Sequence, residues 1–158
     1  MSYDFNADDI FEIAEQLERN GAAFYRDAAG SVDNDDVKKF LLEFAAMEDE
    51  HEKTFISLRK ELTAAEKTPT VFDPGNESAL YLKALADTRV FFKKEIDTSS
   101  VEEIFKSAIT AEKDSIVFYL GMKDLVGETL GKDKMDAIIR EEMGHIKVLS
   151  QKLVALKQ

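Results

Sequence analysis

Two short motifs carry the first chemical signal. Glu48 and His51 are spaced Glu-x-x-His, and so are Glu142 and His145. On a helix, a spacing of three stacks both side chains on one face. The chain has two His in all, and both stand in this motif. With Glu at about a tenth of residues, that coincidence is roughly a 1% event. A carboxylate and an imidazole placed this way can share a divalent cation.

The motifs belong to an internal repeat. A shift of 94 residues carries Glu48 onto Glu142 and His51 onto His145. The same shift carries Ile10 onto Ile104, Phe11 onto Phe105, Ala14 onto Ala108, Glu18 onto Glu112, Phe24 onto Phe118 and Tyr25 onto Tyr119. One ungapped offset for both motifs and their neighbours predicts two related helical hairpins about a pseudo-twofold axis. It also sets Glu15, Glu50 and Glu141 apart. These align with Ile109, Gly144 and Met47, and are expected to face solvent.

Glu18, Glu48, His51, Glu112, Glu142 and His145 all fall on helical seams otherwise filled by Leu, Phe, Ile or Ala. Burying four carboxylates without compensation costs several kcal/mol each. Two divalent cations would balance the four charges, and two neutral imidazoles would complete the ligand set. Such an oxygen-rich set with two His suits iron or manganese better than structural zinc. One Glu from each of two helices and Glu-x-x-His from each of the other two is the di-iron or di-manganese carboxylate pattern. The pseudo-symmetry assigns Glu18 and His51 to one metal, Glu112 and His145 to the other, and Glu48 and Glu142 as bridges. Tyr25 and Tyr119 lie two turns beyond Glu18 and Glu112 on the same face. They fit two readings equally: donors to metal-bound carboxylate that shield a reactive intermediate, or plain core aromatics.

Four helices must hold these residues. Helix 1 opens near Asn6 as cap, runs along Phe11, Ala14, Glu18, Gly21, Tyr25 and Ala28, and stops at Gly30. Helix 2 follows the acidic cluster at 33–36, which reads as capping rather than a calcium loop, and carries Val37, Leu41, Phe44, Glu48, His51, Phe55, Leu58 and Leu62. Both prolines fall in a break over residues 68–76. Asn76 could cap a short helical piece carrying Leu80, Leu82, Leu85 and Ala86. Ser99 and Glu102 read as a capping box before helix 3, whose seam is Val101, Phe105, Ala108, Glu112, Ser115, Tyr119 and Met122. A turn over 127–131 leads to helix 4 with Met135, Ile138, Glu142, His145 and Leu149. Short loops make antiparallel neighbours, and the long connection lets helix 3 return parallel to helix 2. The expected architecture is a single all-α domain over 1–158: a ferritin-like four-helix bundle with repeat halves 6–62 and 100–156 and one long crossover, 63–99, containing a short extra helix.

Composition narrows the rest. Lys and Arg number 21 against 32 Asp and Glu, a net charge of −11 that disfavours nucleic acid and anionic membranes as partners. The absence of Cys excludes a disulfide framework, an iron–sulfur cluster, a thiol nucleophile and a Cys-ligated metal within these residues. No apolar run reaches the roughly 18 residues of a membrane span, and no signal peptide is visible, so a cytoplasmic location is expected.

The segments Glu18-Arg19-Asn20-Gly21-Ala22-Ala23-Phe24-Tyr25, Glu48-Asp49-Glu50-His51, Glu112-Lys113-Asp114-Ser115-Ile116-Val117-Phe118-Tyr119 and Glu142-Met143-Gly144-His145 resemble the rubrerythrin family of the ferritin-like superfamily over essentially the whole chain. The resemblance implies two iron ions, with manganese or a mixed pair as alternatives the ligands also accept. It implies redox chemistry with hydrogen peroxide or dioxygen in oxidative-stress defence, and a homodimer or larger assembly. Two departures matter. Rubrerythrins proper carry a rubredoxin-like domain that a Cys-free chain cannot build, so the electron donor is expected to be separate, such as a rubredoxin-like protein. They also carry an extra carboxylate one turn after the third-helix Glu, which exchanges with a His as iron changes oxidation state. Here that position is Ser115, so His51 is expected to stay bound in both states. The competing functions are a ferritin-type ferroxidase that stores iron, a non-enzymatic metal-binding bundle, and an oxygenase acting on an organic substrate.

Overall fold

The structure, a computed structural model, describes residues 7–62, 80–82, 84, 98–125 and 131–158. Four long helices account for nearly all of them: α1 (Ala7–Gly30), α2 (Asp35–Lys60), α3 (Val101–Leu125) and α4 (Lys132–Leu156). No strand occurs among the described residues. None of the four helices contains a proline. In the crossover, residues 80–82 and 84 are helical, within the short piece expected there. The Asn6 and Asn76 caps and the start of the 127–131 turn lie outside the described residues.

Local signals set the helix ends. The Asn34 side chain accepts from the Val37 amide at 3.0 Å and caps α2, with Asp35 and Asp36 at the positive end of the dipole. At the start of α3 the Ser100 hydroxyl accepts from the Glu103 amide at 3.1 Å. The two serines precede two adjacent Glu residues, so the Ser-x-x-Glu motif is written twice in overlapping register. Gly131 starts α4 at φ 93°, which a side chain would strain, and a Cβ there would collide with Leu58.

Cross-helix contacts fix direction. Arg59 reaches Asp8 and Glu15, so α1 and α2 are antiparallel. Tyr25 meets Glu112 while Tyr119 meets Glu18, so α1 and α3 are antiparallel too. Lys123 pairs with Asp136 and Lys157 with Glu102, which sets α4 antiparallel to α3. Helices α2 and α3 are therefore parallel, as the long crossover predicts.

The core is divided. One apolar cluster gathers Ile10, Phe11, Phe55, Leu58, Leu82, Tyr119, Met122 and Met135; the other gathers Tyr25, Ala28, Leu41, Phe44, Ile104, Phe105 and Leu149. Between them lies a polar layer, formed where the midpoints of all four helices meet. Leu82, fully buried in the first cluster, and Tyr81 lean on α3 where Gly121 leaves room for them.

Candidate metal centre

The layer consists of Glu18 from α1, Glu48 and His51 from α2, Glu112 from α3, and Glu142 and His145 from α4. None is more than 6% exposed. Their donor atoms form two overlapping quartets: Glu18, Glu48, His51 and Glu142, and Glu48, Glu112, Glu142 and His145. Within each quartet all donor atoms lie within 4.8 Å of one another. Glu48 and Glu142 belong to both. The grouping is the one expected from the repeat.

Distances within the layer suit metal ions. His51 Nδ1 stands 2.9 Å from Glu142 Oε1 and 3.4 Å from Glu18 Oε2. His145 Nδ1 stands 3.1 Å from Glu142 Oε2, 3.4 Å from Glu112 Oε1 and 3.6 Å from Glu48 Oε1. Two donors each about 2.1 Å from one ion are about 3.0–3.4 Å apart. Four buried atoms, Glu18 Oε2, Glu48 Oε1, His51 Nδ1 and Glu142 Oε1, make no hydrogen bond although they face one another. All four belong to the first quartet. Buried acceptors left this way cost about 1–3 kcal/mol each unless a cation satisfies them. The residues fit a binuclear metal site.

Without a cation, protons must take its place. Burial raises Glu48, with the charge of Glu142 adding to it; burial and the charge of Glu112 push Glu142 up to about 8. Burial pulls His51 down, but the carboxylates of Glu142 and Glu18 overrule it and raise it to about 11. The same contest, with Glu112 and Glu142, raises His145 to about 9. Burial also pushes Glu112 up, yet Glu142 and His145 overrule it and hold Glu112 low, so it keeps its charge.

Around the layer, the two tyrosines donate to carboxylates of the opposite half. Tyr25 Oη donates to Glu112 Oε1, and Tyr119 Oη to Glu18 Oε1. The sequence puts each tyrosine two turns beyond the Glu of its own helix without naming its partner; the antiparallel packing of α1 and α3 supplies the Glu of the other. Burial and those charges raise both hydroxyls well above the ordinary range, so they remain donors. Gly21 lets α2 come close: a Cβ there would lie 3.1 Å from Glu48 Oε2.

One carboxylate departs from its expected solvent position, and another stays exposed but makes a contact the repeat does not predict. Glu15 is 7% exposed, because Arg59 of α2 reaches it at 3.2 Å. Glu141 has 60% of its side chain exposed, yet its Oε2 lies 2.6 Å from His51 Nε2. Glu50 is exposed as expected. Glu141 is the site residue that sequence reasoning passed over, since the repeat set it aside; its one signal was its place beside Glu142. A cleft of about 460 Å³ between α2 and α4 opens onto this pair, bordered by Glu50, Lys53 and Lys134. On the other side, Phe44 lies over the His145 ring, with centroids 4.6 Å apart.

Compared with known families, residues 9–154 match the model of the family described as Rubrerythrin. The fold is similar to a crystal structure described as a ferritin-like diiron-carboxylate protein from Thermotoga maritima, with a TM-score of 0.69 and 23% sequence identity over 97% of each chain. At that identity the likeness is one of fold. No curated protein matches.

Proposed function

The chain belongs to the rubrerythrin family, and from that premise we propose that it is a non-haem diiron redox protein that reduces hydrogen peroxide in oxidative-stress defence. The observation that carries the reading is the pair of buried quartets sharing Glu48 and Glu142. In the proposed assignment Glu18 and His51 would hold one ion, Glu112 and His145 the other, and Glu48 and Glu142, common to both quartets, would serve both. Two ferrous ions, when bound, supply the two electrons that, with two protons, reduce peroxide to two waters.

The protein's own part is charge balance, orientation and proton placement. Four buried carboxylates would balance the charge of two divalent ions. Tyr25 and Tyr119 hold protons at Oη against Glu112 and Glu18, which fixes those carboxylates in place. The two apolar clusters keep water from both ends of the layer. We assign the reductant to a molecule outside these 158 residues, the working form to a homodimer or larger assembly, and the location to the cytoplasm. No helix among the described residues is long and apolar enough to cross a membrane.

Anaerobic loading with ferrous iron, a metal count per chain and one equivalent of peroxide test the proposal. Two irons oxidised by peroxide faster than by air support it. Two irons oxidised mainly by air indicate a ferroxidase, and iron that binds but does not respond indicates a structural metal.

A further inference from the structure

We propose that Glu141 is a positioning residue that makes the two metal positions inequivalent, so that the Glu18/His51 position binds its ion first and more tightly. The inference rests on the binuclear reading above and adds to it a difference between the two ions.

His51 turns Nδ1 into the layer and Nε2 toward Glu141, where Oε2 lies 2.6 Å away. A carboxylate accepting there keeps the proton on Nε2, leaves the Nδ1 lone pair for an ion, and fixes the ring plane. It also makes the imidazole a stronger donor. The second half lacks this device. The repeat carries position 141 onto Met47, a thioether and at best a weak acceptor. His145 is instead covered by the Phe44 ring, and the position that answers to Phe44 near His51 is Ile138. His51 and Glu141 both line the cleft between α2 and α4, so the pair can be reached by substitution without opening the layer. Ligand strength and ring orientation thus favour the same side.

The full-length chain titrated with Co²⁺, followed by visible absorption and calorimetry, tests this without any turnover. Two binding steps separated by about 10- to 100-fold are expected, the range over which such outer carboxylates act. Glu141→Ala should weaken the tight step by about that factor and leave the weak one in place, so the steps merge. Glu141→Gln, whose carbonyl can accept the same hydrogen bond without charge, should fall between. Position 141 is exposed and helical, and Ala is a strong helix former, so the metal-free variant should melt like the parent. A merely structural role would shift both steps together. Equal affinities in the parent, equal shifts of both steps, or no shift would overturn the inference while leaving the binuclear site standing. A parent that binds no Co²⁺ would overturn the binuclear reading and this inference with it.

Discussion

Where the first helical pair carries Glu15 and Arg59, the second carries Ile109 and Leu153 at the matching positions, and where the second carries Glu141 the first has Met47. Among the ligand and tyrosine positions of the layer itself there is no such divergence in type: Glu18 and Glu112, Tyr25 and Tyr119, Glu48 and Glu142, His51 and His145 match, and each tyrosine meets the Glu of the opposite half. The difference separates two kinds of constraint. The charged residues that make up the layer are fixed by its charge count, since any change there leaves a buried charge unbalanced. Residues one step outside answer only to their immediate surroundings. On the α1–α2 side that is an ion pair in which Arg59 covers the buried Glu15, 3.2 Å apart. On the α3–α4 side Ile109 and Leu153 pack on the apolar cluster.

Removing a shared carboxylate tests the inner agreement most severely. Glu142→Ala should abolish binding at both positions, because Glu142 belongs to both quartets, whereas Glu18→Ala should leave the Glu48, Glu112, Glu142, His145 quartet and one ion per chain. Elemental analysis after desalting reads the count. Loss of both ions from Glu18→Ala would show that the positions do not act separately.

A second test uses protons as the competing ligand. In the metal-free protein His51 and His145 are raised to about 11 and about 9, and Glu142 to about 8. Each binds its proton more tightly folded than unfolded, so stability falls with rising pH across these windows. The histidine contribution is complete below their ordinary value of 6.5 and is lost as pH passes through 9 and 11. The Glu142 cost accumulates between its ordinary 4.5 and about 8. Metal-free protein should therefore melt lower at pH 9 than at pH 6. One pKa unit is about 1.4 kcal/mol, or roughly 3–5 °C in a domain of this size. Metal-loaded protein should show the opposite trend, because ions displace these protons. Parallel trends in the two forms would break the link between the layer and metal.

This division also explains what the sequence could reveal. The helices and the six layer residues were legible because two periodicities, the helical seam and the repeat, point to the same positions. Glu15 was misplaced because its burial depends on Arg59, 44 residues away on another helix. Glu141 was set aside because the repeat filters for symmetry and its contact with His51 is asymmetric. The partners of Tyr25 and Tyr119 required the antiparallel sense of α1 and α3. Periodicity along one helix shows which face is buried, and says nothing of what faces it.

The tyrosines sharpen the symmetric side at intermediate cost. Tyr25→Phe and Tyr119→Phe each remove the hydroxyl donor from a buried carboxylate, expected to cost about 1–3 kcal/mol. Both sit among aromatic neighbours that Phe would keep, Phe44 for Tyr25 and Phe55 for Tyr119. Thermal melts of the two variants should agree within about 1 kcal/mol. A larger gap would carry the asymmetry of Glu141 into the layer itself.

The smallest effect belongs to the outer exchange, in which the first half takes the residues of the second. Glu15→Ile with Arg59→Leu replaces an ion pair, 9% and 28% exposed, by the apolar pair that already works at Ile109 and Leu153. Desolvation offsets most of the attraction in such a pair, so the double variant should lie within about 1 kcal/mol of the parent. Arg59→Leu alone should cost more, about 1–3 kcal/mol, because it leaves the buried Glu15 without its cation, whereas the loss of the Asp8 bonds is common to both variants. Glu15→Ile alone leaves Arg59 held by Asp8 and should be nearly neutral. A double-mutant cycle by urea unfolding isolates the coupling. If the double variant is as unstable as Arg59→Leu, the pair is not interchangeable with its apolar counterpart, and the freedom of the outer residues to diverge does not extend to the α1–α2 side.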